Sequence, residues 1–132
     1  DMASAALENF RRAGEGRRIH LIPGEAVELL EHLDAGPFDF IFLDGAHGHY
    51  LRVFQALERL CKKGTFILSD NVLYKGMTAS AAYLDTRRNR TIMNRMRQYL
   101  EHLKSLDWAR TTVLPMGDGL AMTVVLEDRG LL

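Results

Sequence analysis

The sequence predicts an α/β fold with a mostly parallel sheet, because short apolar runs alternate with amphipathic helical stretches. Two of these runs are rich in β-branched and aromatic residues, and each ends at a carboxylate: residues 38–43 before Asp44, and residues 65–69 before Asp70. A helical pattern over residues 50–62 lies between them. A strand, a helix and a second strand in this order are typical of two parallel, buried strands.

The other elements follow from the same periodicities, taken along the chain. Gly14 and Gly16 end the first helical pattern, and a Gly117–Asp118–Gly119 turn separates the last two strand patterns as in an antiparallel hairpin. The last helix has an apolar stripe of Ile92, Met96, Tyr99 and Leu103. The predicted helices cover residues 2–13, 26–33, 50–62 and 86–106, and the predicted strands cover residues 18–22, 38–43, 65–71, 109–114 and 120–126.

Length restricts residues 1–132 to one domain at most, and no apolar stretch is long enough to cross a bilayer. Seventeen basic and seventeen acidic side chains cancel, which excludes a global field that would attract nucleic acid or membrane. The single cysteine, Cys61, permits no internal disulfide and favours a cytoplasmic protein. No base adjoins Cys61 in the sequence, so a small helix residue is a better interpretation than a nucleophile.

Three oxygen-bearing side chains stand at the carboxyl ends of the two central strands: Asp44, Asp70 and Asn71. Ligands collect at this edge of an open α/β sheet. A lone Asp at such a position more often caps the following helix or turn. The pair of carboxylates with Asn71 beside them favours instead a site for a hard cation such as Mg²⁺.

Two further segments carry possible chemistry near this edge. His47 lies three residues after Asp44 and could act as a general base, or it could be an exposed loop histidine. Gly24, Glu25 and Ala26 follow a predicted strand and open a predicted helix. Backbone amides at a helix start can contact a nucleotide ring or an anion, although a Pro-Gly pair before a helix is usually only a turn.

A local excess of positive charge follows the second carboxylate. Residues 75–100 contain six Lys and Arg side chains and one Asp. This pattern fits a solvated helix face at least as well as a patch that contacts phosphate groups. The candidate phosphate contacts are Lys75, Arg87, Arg88 and Arg90.

At these residues the sequence resembles the class I, metal-dependent S-adenosylmethionine (SAM) O-methyltransferases, which include the catechol and caffeoyl-CoA enzymes. In order and spacing, the resemblance covers nearly the whole chain. The matching stretches are FDFIFLD at 38–44, LSDNVL at 68–73, PMGDGL at 115–120 and RIHLIPGEA at 18–26. The last of these follows a predicted helix that contains Asn9 and Phe10. The resemblance implies a Rossmann-like SAM methyltransferase sheet, with helices on both faces and a C-terminal antiparallel strand pair.

The resemblance also implies roles for particular residues. Asp44, Asp70 and Asn71 would bind Mg²⁺ or a similar ion, which holds the acceptor hydroxyl that receives the methyl group. Gly24, Glu25 and Ala26 would lie along the adenine of SAM, with Asp44 close to it. His47 stands where the family usually has a lysine base, and histidine is a weaker base with a shorter reach. Relatives are commonly homodimers, so a homodimer is expected.

A second departure concerns the start of the chain. Family members carry two earlier strands, a glycine-rich loop for the methionine end of SAM, and an acid for the ribose hydroxyls, and the sequence has no match to any of these. Residues 1–132 are therefore interpreted as the C-terminal part of one methyltransferase domain. In this fold the two earlier strands lie between the strand at residues 18–22 and the strand at residues 39–43. Without these two strands, the strand at residues 18–22 would have no neighbour.

The acceptor is predicted from the basic region. The runs DNVLYKGM at 70–77 and RRNR at 87–90 are similar to the bacterial tRNA 5-hydroxyuridine methyltransferases, which methylate the wobble uridine hydroxyl. A local basic patch suits a phosphate-bearing acceptor. The alternatives are a small catechol-like or phenylpropanoid acceptor, and a non-catalytic fragment or binding module.

Overall fold

The computed structural model describes residues 1–45, 47–76, 78–80 and 87–129, and the side chain of His47 lies outside this set. Four helices and four strands are described, with short 3₁₀ turns at His47–His49 and Glu58–Leu60 on either side of α3. The helices are α1 Met2–Arg12, α2 Ala26–His32, α3 Tyr50–Leu57 and α4 Arg87–Ser105. The strands are β1 Phe38–Leu43, β2 Cys61–Asp70, β3 Ala109–Leu114 and β4 Leu120–Val125.

The described strands form one sheet in the order β1-β2-β4-β3. β1 and β2 are parallel, with Leu43 opposite Ser69, so the two strands end at the same edge of the sheet. The predicted α/β class and the final antiparallel hairpin are confirmed. The expectation of a mostly parallel sheet is wrong for the described strands, because β4 of the hairpin inserts antiparallel beside β2 and leaves a single parallel pairing.

Two predicted elements differ in the structure. Residues 18–22 form no strand and all five are exposed, because a strand needs a ladder partner and none of the described strands pairs with this segment. The helix predicted over residues 50–62 ends at Leu57 and continues as one 3₁₀ turn. Cys61 is therefore not a helix residue; it opens β2, where it lies opposite Phe38.

The core lies between one face of the sheet and α2, α3 and α4. Alternate β2 residues, among them Ile67 and Ser69, are fully buried on this face. Three aromatic rings from the helices pack edge to face: Phe54 and Tyr50 each contact Tyr99, with ring centroids 5.8 and 5.5 Å apart. The buried hydroxyls are paired, since Ser69 and Tyr99 share a 2.6 Å hydrogen bond. Ser69 immediately precedes Asp70, so this buried pair lies next to the strand end that carries the site.

The opposite face of the sheet is open in the described part of the chain. Phe40 and Phe42 of β1 are 55% and 53% exposed, and Phe40 stacks on Phe66 of β2 at 5.8 Å. Val124 of β4 continues this apolar surface, at 38% exposure. Helix α1 buries none of its residues. The sheet is thus packed by described helices on one side.

Among the described residues, no helix is both long enough and apolar enough to cross a membrane.

Candidate functional site

The carboxyl ends of β1 and β2 bring Asp44, Asp70 and Asn71 together. The amide Nδ2 of Asn71 lies 3.5 Å from the Asp44 carboxylate, at the limit of a hydrogen bond. Asp44 is exposed, whereas Asp70 and Asn71 are half-buried. The parallel register accounts for this cluster, because it ends both strands at one edge.

The backbone after Asp70 has an unusual conformation. Asn71, Tyr74 and Lys75 have positive φ values of 57°, 45° and 54°, a region that residues other than glycine seldom adopt. The Asn71 N–H donates to the Asp70 carboxylate at 2.7 Å. Such strain persists only where the surrounding structure enforces it, and it is concentrated at functional sites.

The turn between β3 and β4 supplies that support. The Leu73 N–H donates to the Asp118 carbonyl at 2.9 Å, and the Val72 N–H donates to the Gly119 carbonyl at 3.2 Å. The Lys75 N–H donates to the Asp118 carboxylate. The turn therefore holds the loop that follows Asp70 and Asn71, a function for the Gly-Asp-Gly motif that sequence reasoning missed.

Tyr50 is a second residue that sequence reasoning missed. Its hydroxyl donates to the Asp70 backbone carbonyl at 2.9 Å, and its side chain is only 1% exposed. Burial raises the pKa of Tyr50 to about 12, so the phenol stays protonated and remains a donor near neutral pH. The sequence signal was available: a tyrosine at the first position of the helix that follows Asp44.

A cavity of about 520 Å³ opens beside Asp44 between β1, α2 and α3. Its polar rim contains Glu25, Asp44, Gly45 and His49, and its walls are mostly apolar. Ala26 also lines it, so the structure brings Glu25, Ala26 and Asp44 to one cavity. A mostly apolar cleft with a few polar groups is typical of a small-molecule site.

Gly24 and Glu25 also have local roles. Gly24 lines a neighbouring cavity of about 470 Å³, which Glu25 borders as well. The Glu25 carboxylate caps α2 by accepting the Glu28 N–H at 3.0 Å. This hydrogen bond holds the pKa of Glu25 below its usual value. Glu25 thus combines a structural cap with a position on the cavity rim.

The predicted base and phosphate contacts are placed as follows. His47 opens a 3₁₀ turn, and its side chain lies outside the described residues. Lys75 is exposed in the supported loop, and Arg87, Arg88 and Arg90 are exposed in the first turn of α4, which contains no acidic residue. Cations are unfavourable at the positive end of a helix dipole. These arginines are therefore not explained by helix stability.

The donor set at the strand ends consists of oxygen ligands. Within the described ranges, no group of three or more His, Cys, Asp and Glu side chains is arranged to hold a metal. Asp44 and Asp70 supply two carboxylates, so a metal here also needs the Asn71 side-chain oxygen. Two carboxylates and one carboxamide are oxygen ligands that suit Mg²⁺ and leave room for water and substrate.

Two curated relatives resemble this chain. It is 31% identical over 131 residues to a catechol O-methyltransferase of Niastella koreensis, covering 93% of this chain and 57% of that protein. It is 30% identical over 128 residues to a caffeoyl-CoA O-methyltransferase of Petroselinum crispum, covering 88% of this chain and 51% of that protein. The chain thus spans little more than half the length of these relatives.

A solved structure and a family match point the same way. An SAH-bound methyltransferase of Podospora anserina superposes with a TM-score of 0.83 at 25% identity, covering 96% of this chain and 57% of that one. The family described as O-methyltransferase matches residues 1–126. Together with the α/β sheet and the polar strand ends, this match shows that the chain belongs to the O-methyltransferase family.

Proposed function

We propose that this chain carries the metal-binding and acceptor side of a SAM-dependent O-methyltransferase site. The observation that carries the proposal is the cluster at the strand ends, where Asn71 lies 3.5 Å from the Asp44 carboxylate and Asp70 is adjacent. Family membership supports methyl transfer to oxygen as the reaction class.

Asp44, Asp70 and Asn71 would hold a divalent cation. A bound Mg²⁺ would supply a Lewis acid that lowers the pKa of an acceptor hydroxyl. A rotation of the Asn71 side-chain amide by half a turn exchanges the positions of its oxygen and nitrogen. This rotation would turn the oxygen, which can bind a cation, toward Asp44. Tyr50 would fix Asp70 through the hydrogen bond to its carbonyl. The strained loop held by Asp118 would keep Asn71 in position.

The cavity beside Asp44 would receive the adenine end of SAM. Glu25 and Ala26 border it at the start of α2, and apolar residues such as Leu29 and Ile41 line its walls. A flat aromatic base would bury apolar surface there while Asp44 remains at the rim. His47 is proposed as the group that accepts the acceptor proton, because it follows Asp44 by three residues and a neutral imidazole can act as a general base.

For the acceptor we favour tRNA that contains 5-hydroxyuridine. Support comes from the arginines at the start of α4, which oppose the helix dipole and lie free of acidic neighbours in that turn. A phosphate-bearing acceptor would explain their presence, since charge-assisted hydrogen bonds to phosphate would offset the unfavourable interaction of the arginines with the helix dipole. A catechol-like acceptor is the second candidate, favoured by the name of the Niastella koreensis relative.

The metal proposal is tested by measuring methyl transfer from SAM with Mg²⁺ and with EDTA, in the parent chain and two variants. Asp70→Ala should lose activity and Mg²⁺ affinity. Asp39→Ala is the matched control, because Asp39 is an exposed carboxylate on β1 that pairs with Lys62 away from the strand ends. Activity that is indifferent to EDTA, or equal in the two variants, would exclude the metal mechanism.

The acceptor proposal is tested by comparing hydroxyuridine-containing tRNA with catechol under identical conditions. We expect a higher kcat/KM for tRNA and a steeper fall in activity with salt. A clear preference for catechol would select the second candidate. A third outcome, no SAM binding by calorimetry and no transfer to either acceptor, would favour a non-catalytic binding module.

A further inference from the structure

A third, smaller cavity lies beside the proposed site and has two arginines in its lining. It measures about 210 Å³ and is formed by the turn before α3, the start of α3 and the middle of α4. Its polar lining comprises His49, Arg52, Arg95 and Gln98, and Gly48 and Leu51 complete it. His49 also lines the cavity next to Asp44, so the two cavities are neighbours.

Gly48 allows one guanidinium to approach the backbone closely. A Cβ atom added at this glycine would lie 3.1 Å from Nη1 of Arg95, closer than ordinary van der Waals contact. The φ of Gly48 is not in the left-handed region, so backbone conformation does not require glycine there. The close approach of Arg95 is therefore the feature that the missing side chain permits.

The guanidinium groups of Arg52 and Arg95 have their donors available. Two other arginines of the described ranges are engaged: Arg59 donates to the Leu30 and Leu33 carbonyls, and Arg97 donates to the Thr78 carbonyl. No hydrogen bond or ion pair joins Arg52 or Arg95 to any described residue.

The carboxylate that this cluster acts on already has a partner. Arg52 and His49 act on Glu25 at longer range and contribute to the lowered pKa of its carboxyl. The Glu25 carboxylate is occupied by the Glu28 N–H at the start of α2. His49 makes no side-chain cap at the start of α3. The cavity is therefore lined by hydrogen-bond donors, two of which are positively charged guanidinium groups.

We infer that this cavity binds a phosphate group of the acceptor. Two guanidinium forks are groups that bind phosphate oxygens with charge-assisted hydrogen bonds. SAM carries no phosphate, so the ligand belongs to the acceptor. This inference rests on the proposed function and deepens it: the acceptor is a nucleotide whose phosphate occupies the Gly48–Arg95 cavity while its base enters the site near Asp44.

The test uses uridine 5′-monophosphate and uridine as probes. Their binding is measured from chemical-shift changes of the backbone amides of the ¹⁵N-labelled protein, without metal or SAM. Uridine 5′-monophosphate should shift the Gly48 amide, and uridine should not. Arg52→Gln and Arg95→Gln should each raise the Kd at least tenfold. Arg12→Gln is the matched control, because Arg12 is exposed on α1 and makes no ion pair with a described residue.

Gly48→Ala provides a variant that keeps both arginines. Its Cβ should displace the Arg95 guanidinium and raise the Kd, and the unchanged thermal unfolding midpoint would show that the fold is retained. Coenzyme A, measured in parallel, tests whether a CoA thioester is the phosphate source. Tighter binding of coenzyme A than of the nucleotide would identify that source.

The inference and the proposed function fail independently. Equal Kd values in the parent and in both arginine variants would overturn the inference, as would shifts located at Arg87, Arg88 and Arg90 instead of Gly48. Because the assay needs neither metal nor SAM, phosphate binding can be present when methyl transfer to every acceptor is absent. Absence of transfer with an intact phosphate shift would reject the proposed function alone.

Discussion

Gly119 lies so close to Leu73 that a Cβ atom added to the glycine would fall 2.4 Å from the Leu73 Cγ atom. This contact joins the turn between β3 and β4 to the loop that follows Asp70 and Asn71. The same two segments are linked by the hydrogen bond from the Leu73 N–H to the Asp118 carbonyl. The geometry of the candidate metal site therefore depends on a turn more than forty positions further along the chain.

Gly119→Ala should destabilise the chain and weaken Mg²⁺ binding. The backbone strain at φ +86° costs about 1–3 kcal/mol, and displacement of Leu73 adds to it. The measurements are the thermal unfolding midpoint and the Mg²⁺ Kd by calorimetry. Gly117→Ala is the control, since Gly117 also has a positive φ but has no atom within 4 Å of its added Cβ. Equal Mg²⁺ affinities in the two variants would contradict the proposed link.

Tyr50→Phe should weaken the metal site and the fold together. The change removes the donor to the Asp70 carbonyl, which costs ~1–3 kcal/mol when the acceptor is left unpaired. We expect a several-fold rise in the Mg²⁺ Kd, measured by calorimetry. Tyr99→Phe removes a buried hydroxyl from the same core, where it pairs with Ser69, and should lower stability without changing the Kd. A Kd that changes equally in both variants would argue against a positioning role for Tyr50.

Stability should fall in alkaline solution through ionisation of Cys61. Burial raises the pKa of this thiol from 9.0 to about 11. The folded pKa lies above the unfolded value, so the associated stability is complete below pH 9 and is lost as the pH rises toward 11. The free energy of unfolding, measured with denaturant from pH 7 to 11, should fall more steeply in the parent than in Cys61→Ala.

The buried tyrosines contribute the same slope to both proteins in that experiment. The pKa of Tyr50 is also raised, to about 12. The contribution of its protonated form to the free energy of unfolding is therefore lost above pH 10, in the parent and in the variant alike. Parallel curves between pH 9 and 10 would therefore show that Cys61 is not the titrating group.

The open sheet face should bind hydrophobic dyes. Phe40 is 55% exposed beside Phe66, and adjoining apolar side chains make a continuous surface of the kind that promotes association. Phe40→Thr should lower fluorescence of bound dye and reduce self-association measured by light scattering. Leu7→Thr is the control, because Leu7 is exposed to a similar degree, 54%, on α1. An equal effect of the two changes would exclude the sheet face as the dye site.

The pattern of the sequence was sufficient for most of the elements. Alternating apolar runs predicted β1, β3 and β4 within one residue at each end. The Gly-Asp-Gly turn between the last two runs predicted the final hairpin. Helical periodicity predicted α4, although Met93 is buried in the stripe and Ile92 is only half-buried. The failures were the strand at residues 18–22 and the helical extent to residue 62, because both depend on which strand pairs with which.

Sequence alone determined that two carboxylates and an asparagine stand at strand ends, because strand length and a terminal acid are local properties of the chain. Tertiary structure decided what surrounds them: the Tyr50 hydroxyl on the Asp70 carbonyl, Gly119 against Leu73, and Arg95 over Gly48. Each of these contacts joins residues 20 or more positions apart. Local propensity carries no information about such pairs, since they arise only when the sheet register and the helix packing bring distant side chains together.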